Sequence, residues 1–158
     1  MDNLLYFKDN ILPILTPIGA LIASGSAAYT YRRNSKLRRA EWLYSLFEKF
    51  FCEDKYADIR QIIDYAKTAE LNKLKQALST HDNTLLEEKL VNYLNFFEFI
   101  ANLWLLKQVP FNEIKMMFDY YIRRLGDHDF IVDYIKSNGF EGLVKLMAEI
   151  KSDSKHVG

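Results

Sequence analysis

The sequence predicts an all-α protein: one N-terminal transmembrane helix followed by a cytosolic bundle of about five helices. Three observations carry that prediction. Glycine and proline are scarce, 6 and 3 among 158 residues, which leaves little of the turn chemistry that a β fold consumes. A stretch of 21 residues without a charge, Ile11 to Tyr31, stands near the start. Beyond it, apolar side chains recur at spacings of three and four rather than alternating, which is the helical period.

The uncharged stretch reads ILPILTPIGALIASGSAAYTY. As a helix it would reach about 31 Å, the thickness of a bilayer core. Pro13 and Pro17 fall near its start, where missing N–H groups cost least. Arg32, Arg33, Lys36, Arg38 and Arg39 follow at once, before the first acid at Glu41. The positive-inside rule keeps that end cytoplasmic. The expected organisation is therefore a short extracytoplasmic segment 1–10, a span 11–31, a basic juxtamembrane segment 32–39, a helical cytosolic domain 40–150 and a flexible tail 151–158. The expected location is a bacterial inner membrane, crossed once, with the N-terminus outside.

Two other readings of the stretch stay open. A cleaved signal peptide would want a basic leading segment, whereas Asp2, Lys8 and Asp9 roughly cancel. A buried core helix would suit a stretch with only seven large aliphatic residues. Thr16, Ala20, Ala23, Ala27 and Thr30 recur every three or four residues, and small faces of that kind let helices approach closely. Self-association, a homo-oligomer, is the expectation.

The basic segment runs without Gly or Pro into LRRAEWLYSLFEKFF, where Leu37, Trp42, Leu46, Phe47 and Phe50 form a stripe. The span should therefore continue into the domain as one long helix. Ile59, Ile62, Ile63 and Ala66 mark a second helix within Ala57–Ala77, broken near Thr68. Ser79–Asn83 is a loop, and Thr84 is placed to cap the next helix, with Glu87 and Glu88 in its first turn. That helix, to about Lys107, is apolar over more than half its circumference and must be central. Asn92, Asn95, Glu98 and Asn102 make a narrow polar strip along it. Such groups need partners, from an internal network, a wet edge, a ligand or another subunit. Pro110 opens a helix ended by Gly126, with Ile114, Met117, Phe118, Tyr121 and Leu125 inward. A short helix within Asp127–Ser137, a turn at Asn138–Gly139 and a last helix from Phe140 to Ile150 complete the chain.

Charge narrows the function. Up to Arg39 the chain has six basic and two acidic residues, net +4; of 21 and 21 in all, 15 basic and 19 acidic remain beyond it, net −4. An acidic body excludes long DNA or RNA as a partner, since that binding needs an extended basic surface. The lone Cys52 allows no internal disulfide. His81, His128 and His156 show no metal-ligand spacing, and phosphate-binding and nucleophile motifs are absent, so neither a metal, a cofactor nor an enzyme is expected. The segment DYYIRR suits anion recognition: Arg123 and Arg124 for phosphate, Tyr120 and Tyr121 to stack on a base, with Arg60, Lys67 and Asn95 as further candidates. Surface ion pairs with the neighbouring acids are the competing account of the same residues.

RRAEWLYSLFEKF, LVNYLNFFEFIANLW and FNEIKMMFDYYIRRLG resemble segments of a family of small bacterial membrane proteins with an N-terminal anchor and an aromatic-rich helical domain. The layout is also similar to membrane effectors of antiviral defence, including type III CRISPR-associated effectors that respond to cyclic oligoadenylate. That resemblance implies a cytosolic sensor of a cyclic oligonucleotide, coupled to an oligomeric membrane part that disrupts the host membrane. A membrane-tethered adaptor that docks a protein partner, with no ligand, is the alternative.

Overall fold

The computed structural model describes residues 12–65 and 68–154, with side chains from Ala20 to Tyr65 and from Thr68 to Asp153. The predicted segment 1–10, the first residue of the predicted span, Lys67 and the second half of the predicted tail lie outside these. Among the described residues there are seven helices and no strand: α1 (Leu12–Cys52), α2 (Asp54–Tyr65), α3 (Thr68–Thr80), α4 (Thr84–Leu105), α5 (Phe111–Gly126), α6 (Asp129–Ser137) and α7 (Glu141–Ser154). The all-α class is as the sequence predicts. Six helices follow α1, against an expectation of about five; α2 ends at Tyr65 and α3 begins at Thr68, where the sequence suggests a break.

The chain divides between Ser45 and Leu46 into two compact units. In the first, α1 presents Leu21, Ile22, Tyr29, Tyr31 and Leu37 to the outside. Arg32, Arg33, Lys36 and Arg38 are exposed and form no ion pair among the described residues, while Arg39 is half-buried. The Ser24 hydroxyl donates to the Ala20 carbonyl at 2.8 Å, satisfying itself on its own helix. Among the described residues no helix is long and apolar enough to cross a membrane. Residues 20–31 mix Leu, Ile and Tyr with Ala, Ser, Gly and Thr, and that composition dilutes their hydropathy.

In the second unit α4 is the axis, packed against α2, α3, α5 and α7. Its Leu90, Tyr93, Leu94, Phe96, Phe97, Ile100 and Ala101 are buried, as a helix apolar on most of its circumference requires. Phe50, fully buried at the end of α1, inserts its ring among aromatic neighbours: Phe96 and Tyr121 at 5.0 Å, Phe97 at 5.3 Å and Tyr93 at 5.5 Å between centroids. Tilted and edge-on rings at such distances add to their area burial.

The helix ends show how the chain turns. Asn83, not Thr84, caps α4; its side chain accepts from the Leu86 N–H at 3.1 Å. Pro110 precedes α5, where its missing donor costs nothing, and Gly126 is its last residue. Gly139 takes φ +82°, so the predicted turn after α6 needs a residue free of a Cβ there. Ile122, absent from the predicted inward face of α5, is buried, whereas Met117 and Tyr121 are half-buried.

Candidate functional site

The polar strip on α4 divides into two halves with different fates. In the C-terminal half the Glu98 carboxylate accepts from the backbone N–H groups of Gly142 at 3.0 Å and Leu143 at 2.7 Å. It thereby satisfies the unpaired donors at the start of α7 and meets the positive end of that helix. Asn102 donates to Glu98 at 3.2 Å and holds it in place. The approach is so close that a Cβ on Gly142 would lie 2.8 Å from both Glu98 Oε1 and Asn102 Oδ1. This half is an internal network, one of the accounts the sequence left open.

Asn92 and Asn95, at the other end, make no side-chain hydrogen bond among the described residues. They line an open cleft of about 340 Å³ with Leu46 and Lys49 from α1, Glu53, Lys55 and Tyr56 around the start of α2, and Phe96 and Phe99 from α4. Lys55 pairs with Glu53 at 2.7 Å and sits 4.8 Å from the centre of the Tyr56 ring. The Glu53 carboxylate holds the Lys55 ammonium above its ordinary range, with the Tyr56 hydroxyl acting in the same direction. Lys49 is exposed and forms no ion pair among the described residues.

The arginines that looked suited to anions are already paired with groups of the fold. Arg124 donates to the carbonyls of Ile63 at 2.6 Å and Asp64 at 3.3 Å, closing the end of α2, and to Asp127 at 2.6 Å. Arg60 does the same for the end of α1, donating to Phe50 O at 2.6 Å and Phe51 O at 3.2 Å while lying over both rings. A cation at a helix C-terminus is favoured by the carbonyls there and by the macrodipole. Arg123 bonds Asp119 one turn back at 2.7 Å, which lifts its own proton affinity further.

Arg60, Arg124, Tyr120 and Tyr121 therefore come together, around Asp64, but Arg123 faces Asp119 and the carbonyl of Ile150, and Asn95 belongs to the cleft. Burial pushes the Asp64 carboxyl above the ordinary carboxylate range, against the pull of Arg124, Arg60 and the Tyr120 hydroxyl. Tyr93, almost wholly enclosed, is pushed well above the ordinary phenol range, first by burial and then by the nearby Asp64. The Tyr93 hydroxyl, Asp64 Oδ1 and Arg124 Nε are buried without a hydrogen-bond partner among the described residues.

Sequence reasoning missed Asp64 and Tyr93 in the arginine cluster, and Lys49, Lys55, Tyr56 and Phe99 in the cleft. The signal within reach was Asn92 and Asn95, three residues apart on an otherwise apolar helix. Among the described residues no group of three His, Cys, Asp or Glu side chains is placed to hold a metal ion. No family model, curated protein or solved structure matches the chain.

Proposed function

We propose that the chain is a membrane-anchored effector. Residues 11–31 hold it in a bacterial inner membrane, the basic segment fixes the larger unit on the cytoplasmic side, and that unit senses a small anionic ligand. The response passes to an oligomeric membrane part. Membrane disruption in antiviral defence, triggered by a cyclic oligonucleotide, is the role that the resemblance implies.

The observation that carries this reading is the uncovered apolar part of α1. Leu21, Ile22, Tyr29 and Tyr31 are 68–75% exposed, uncovered by any of the described residues of their unit. Water is a poor environment for such a surface; lipid or a second copy is a good one. Tyr29 and Tyr31 adjoin the cations Arg32 and Arg33, the order of residues found where a span meets the headgroups. Residues 20–31 alone would cover about 18 Å, so crossing a bilayer needs the more apolar residues 11–19 as well. Ala23, Ala27 and Thr30 leave room for a neighbouring helix, which a pore or bundle requires.

One observation favours the adaptor reading instead. Met116 and Tyr120, one turn apart on α5, are 85% and 53% exposed, as a protein-docking face would be. The first test is fractionation of bacteria that express the full chain. The effector reading expects a protein that stays with membranes through alkaline carbonate and forms oligomers in mild detergent. Release by carbonate, or a strictly monomeric detergent complex, would overturn it. Exchange of residues 11–31 for an unrelated span then divides the two readings: depolarisation of the host membrane on overexpression is lost for an effector, and an adaptor's partner is still captured.

A further inference from the structure

We propose that the cleft between the last turns of α1, the start of α2 and α4 binds a nucleoside monophosphate. This rests on the ligand-sensing reading above and names the ligand class. Three kinds of group converge there. Asn92 and Asn95 have no side-chain hydrogen bond among the described residues, and each amide offers a donor and an acceptor side by side. That pattern matches the edge of an adenine ring, which presents an acceptor beside a donor. Phe99, 47% exposed, supplies ring surface in the same cleft, and bases stack on such rings; Tyr56 is buried, with Lys55 against its ring.

The third group is cationic. Lys49 is unpaired among the described residues and Lys55 is shared with Glu53, so the cleft carries one net positive charge. A phosphate monoester, which carries close to two negative charges at neutral pH, is half balanced by that; a triphosphate is much further from balance. The cleft volume, about 340 Å³, lies at the small end of the range for ligand sites. The position also suits a sensor. Lys49 stands on the last turns of α1 and Asn92 and Asn95 on α4, all within the second unit, so a ligand there ties two helices of that unit together. It shifts their arrangement to the extent that it prefers one over another.

The test is calorimetric titration of the full chain in mild detergent with AMP, CMP, adenosine and inorganic phosphate. AMP is expected to bind saturably, with CMP, adenosine and phosphate each weaker by about tenfold or more, the worth of one lost charge-assisted or paired contact. Lys49→Glu and Asn95→Leu, both at exposed positions, should each weaken AMP by about tenfold while the melting temperature holds. No saturable binding of AMP at millimolar concentration, or AMP binding indifferent to both substitutions, overturns the proposal. AMP binding lost in Arg123→Ala but kept in Lys49→Glu overturns the cleft and leaves ligand sensing standing. AMP binding through Lys49 in a chain that carbonate releases keeps the cleft and removes the membrane effector.

Discussion

Arg124 and Lys49 are both cations of the same folded unit, yet one is structural mortar and the other is open to solvent. Arg124 spends its guanidinium on the carbonyls of Ile63 and Asp64 and on Asp127. Lys49 has no ion pair among the described residues and borders a cleft with two unbonded amides. The difference lies in what each side chain reaches. A helix end within the span of an arginine offers several carbonyl acceptors at once, and a planar, five-donor group is suited to take them. Lys49 stands in the last turn of α1, where Arg60 already takes the carbonyls of Phe50 and Phe51. A pair of arginines in sequence thus announces charge but not availability.

The largest effect should follow from breaking the closed region. Arg124→Ala strips the end of α2 of its donors and leaves the part-buried Asp64 facing only Arg60 and Tyr120. Removing a charged, part-buried donor from two carbonyls at once costs about 3 kcal/mol, and chemical denaturation of the full chain should show it. Arg60→Ala should cost somewhat less, about 2 kcal/mol, since two carbonyls of α1 lose a charged donor. A stability equal to that of the parent in both variants would mean that neither arginine closes its helix.

The two halves of the α4 strip offer the next contrast. Gly142→Ala would drive a methyl group against the Glu98 carboxylate and the Asn102 amide, each 2.8 Å from the new carbon. Glu98 must then release the N–H groups of Gly142 and Leu143, at a cost of about 1–2 kcal/mol for the lost cap. Asn92→Ala, in the open half, should change stability by less than about 0.5 kcal/mol. Thermal unfolding of the two variants side by side measures the difference directly.

Asp64 makes the closed region pH-dependent, and the sign can be worked out. Its folded-state affinity for a proton exceeds the unfolded one, whose value is near 3.8. Between those two values the folded chain binds more protons than the unfolded chain, so this residue's contribution to stability falls as pH rises through that window. Above it the charged carboxylate is a standing penalty. Asp64→Asn should therefore be the more stable protein at pH 7, with the advantage gone below pH 3.8. Glu87 works in the opposite sense: its bond to His81 lowers its proton affinity, so its contribution holds above the ordinary glutamate range and is lost on acidification. Measuring the difference between Asp64→Asn and its parent at each pH cancels Glu87.

Much of the fold was legible because its signals are local. The apolar period of α4, the proline before α5, Gly126, and the turn at Asn138–Gly139 each act within a few residues and each stands in the structure as the sequence implied. The cap of α4 fell one residue earlier, on Asn83, because Asn and Thr can both cap and only the backbone conformation chooses between them. The candidate sites were less legible, since their partners are distant in the chain. Arg124 meets Ile63 and Asp64 some 60 positions away, and Asn95 shares its cleft with Lys49, 46 positions earlier. No periodicity in one helix reports which end of another helix it will close. Asn92 and Asn95 could be recognised as odd on an apolar helix; the lysines that face them could not.

The smallest effect is the most discriminating, because it compares two cations at the surface. Arg123 reaches Asp119 at 2.7 Å across one helical turn, with the two side chains 38% and 29% exposed. A pair that wet is worth about 0.3–0.5 kcal/mol. Arg123→Ala should therefore lose roughly that amount, and high salt should remove most of the loss. Lys49→Ala has no ion pair to lose among the described residues; the favourable place of a cation in the last turn of α1 is offset by alanine's better helix propensity, so its stability should change by less than about 0.3 kcal/mol. If Lys49→Ala instead destabilised the chain by more than Arg123→Ala, Lys49 would be holding the fold together. The cleft would then be one more closed region, and the distinction between bound and available cations would fail where it matters most.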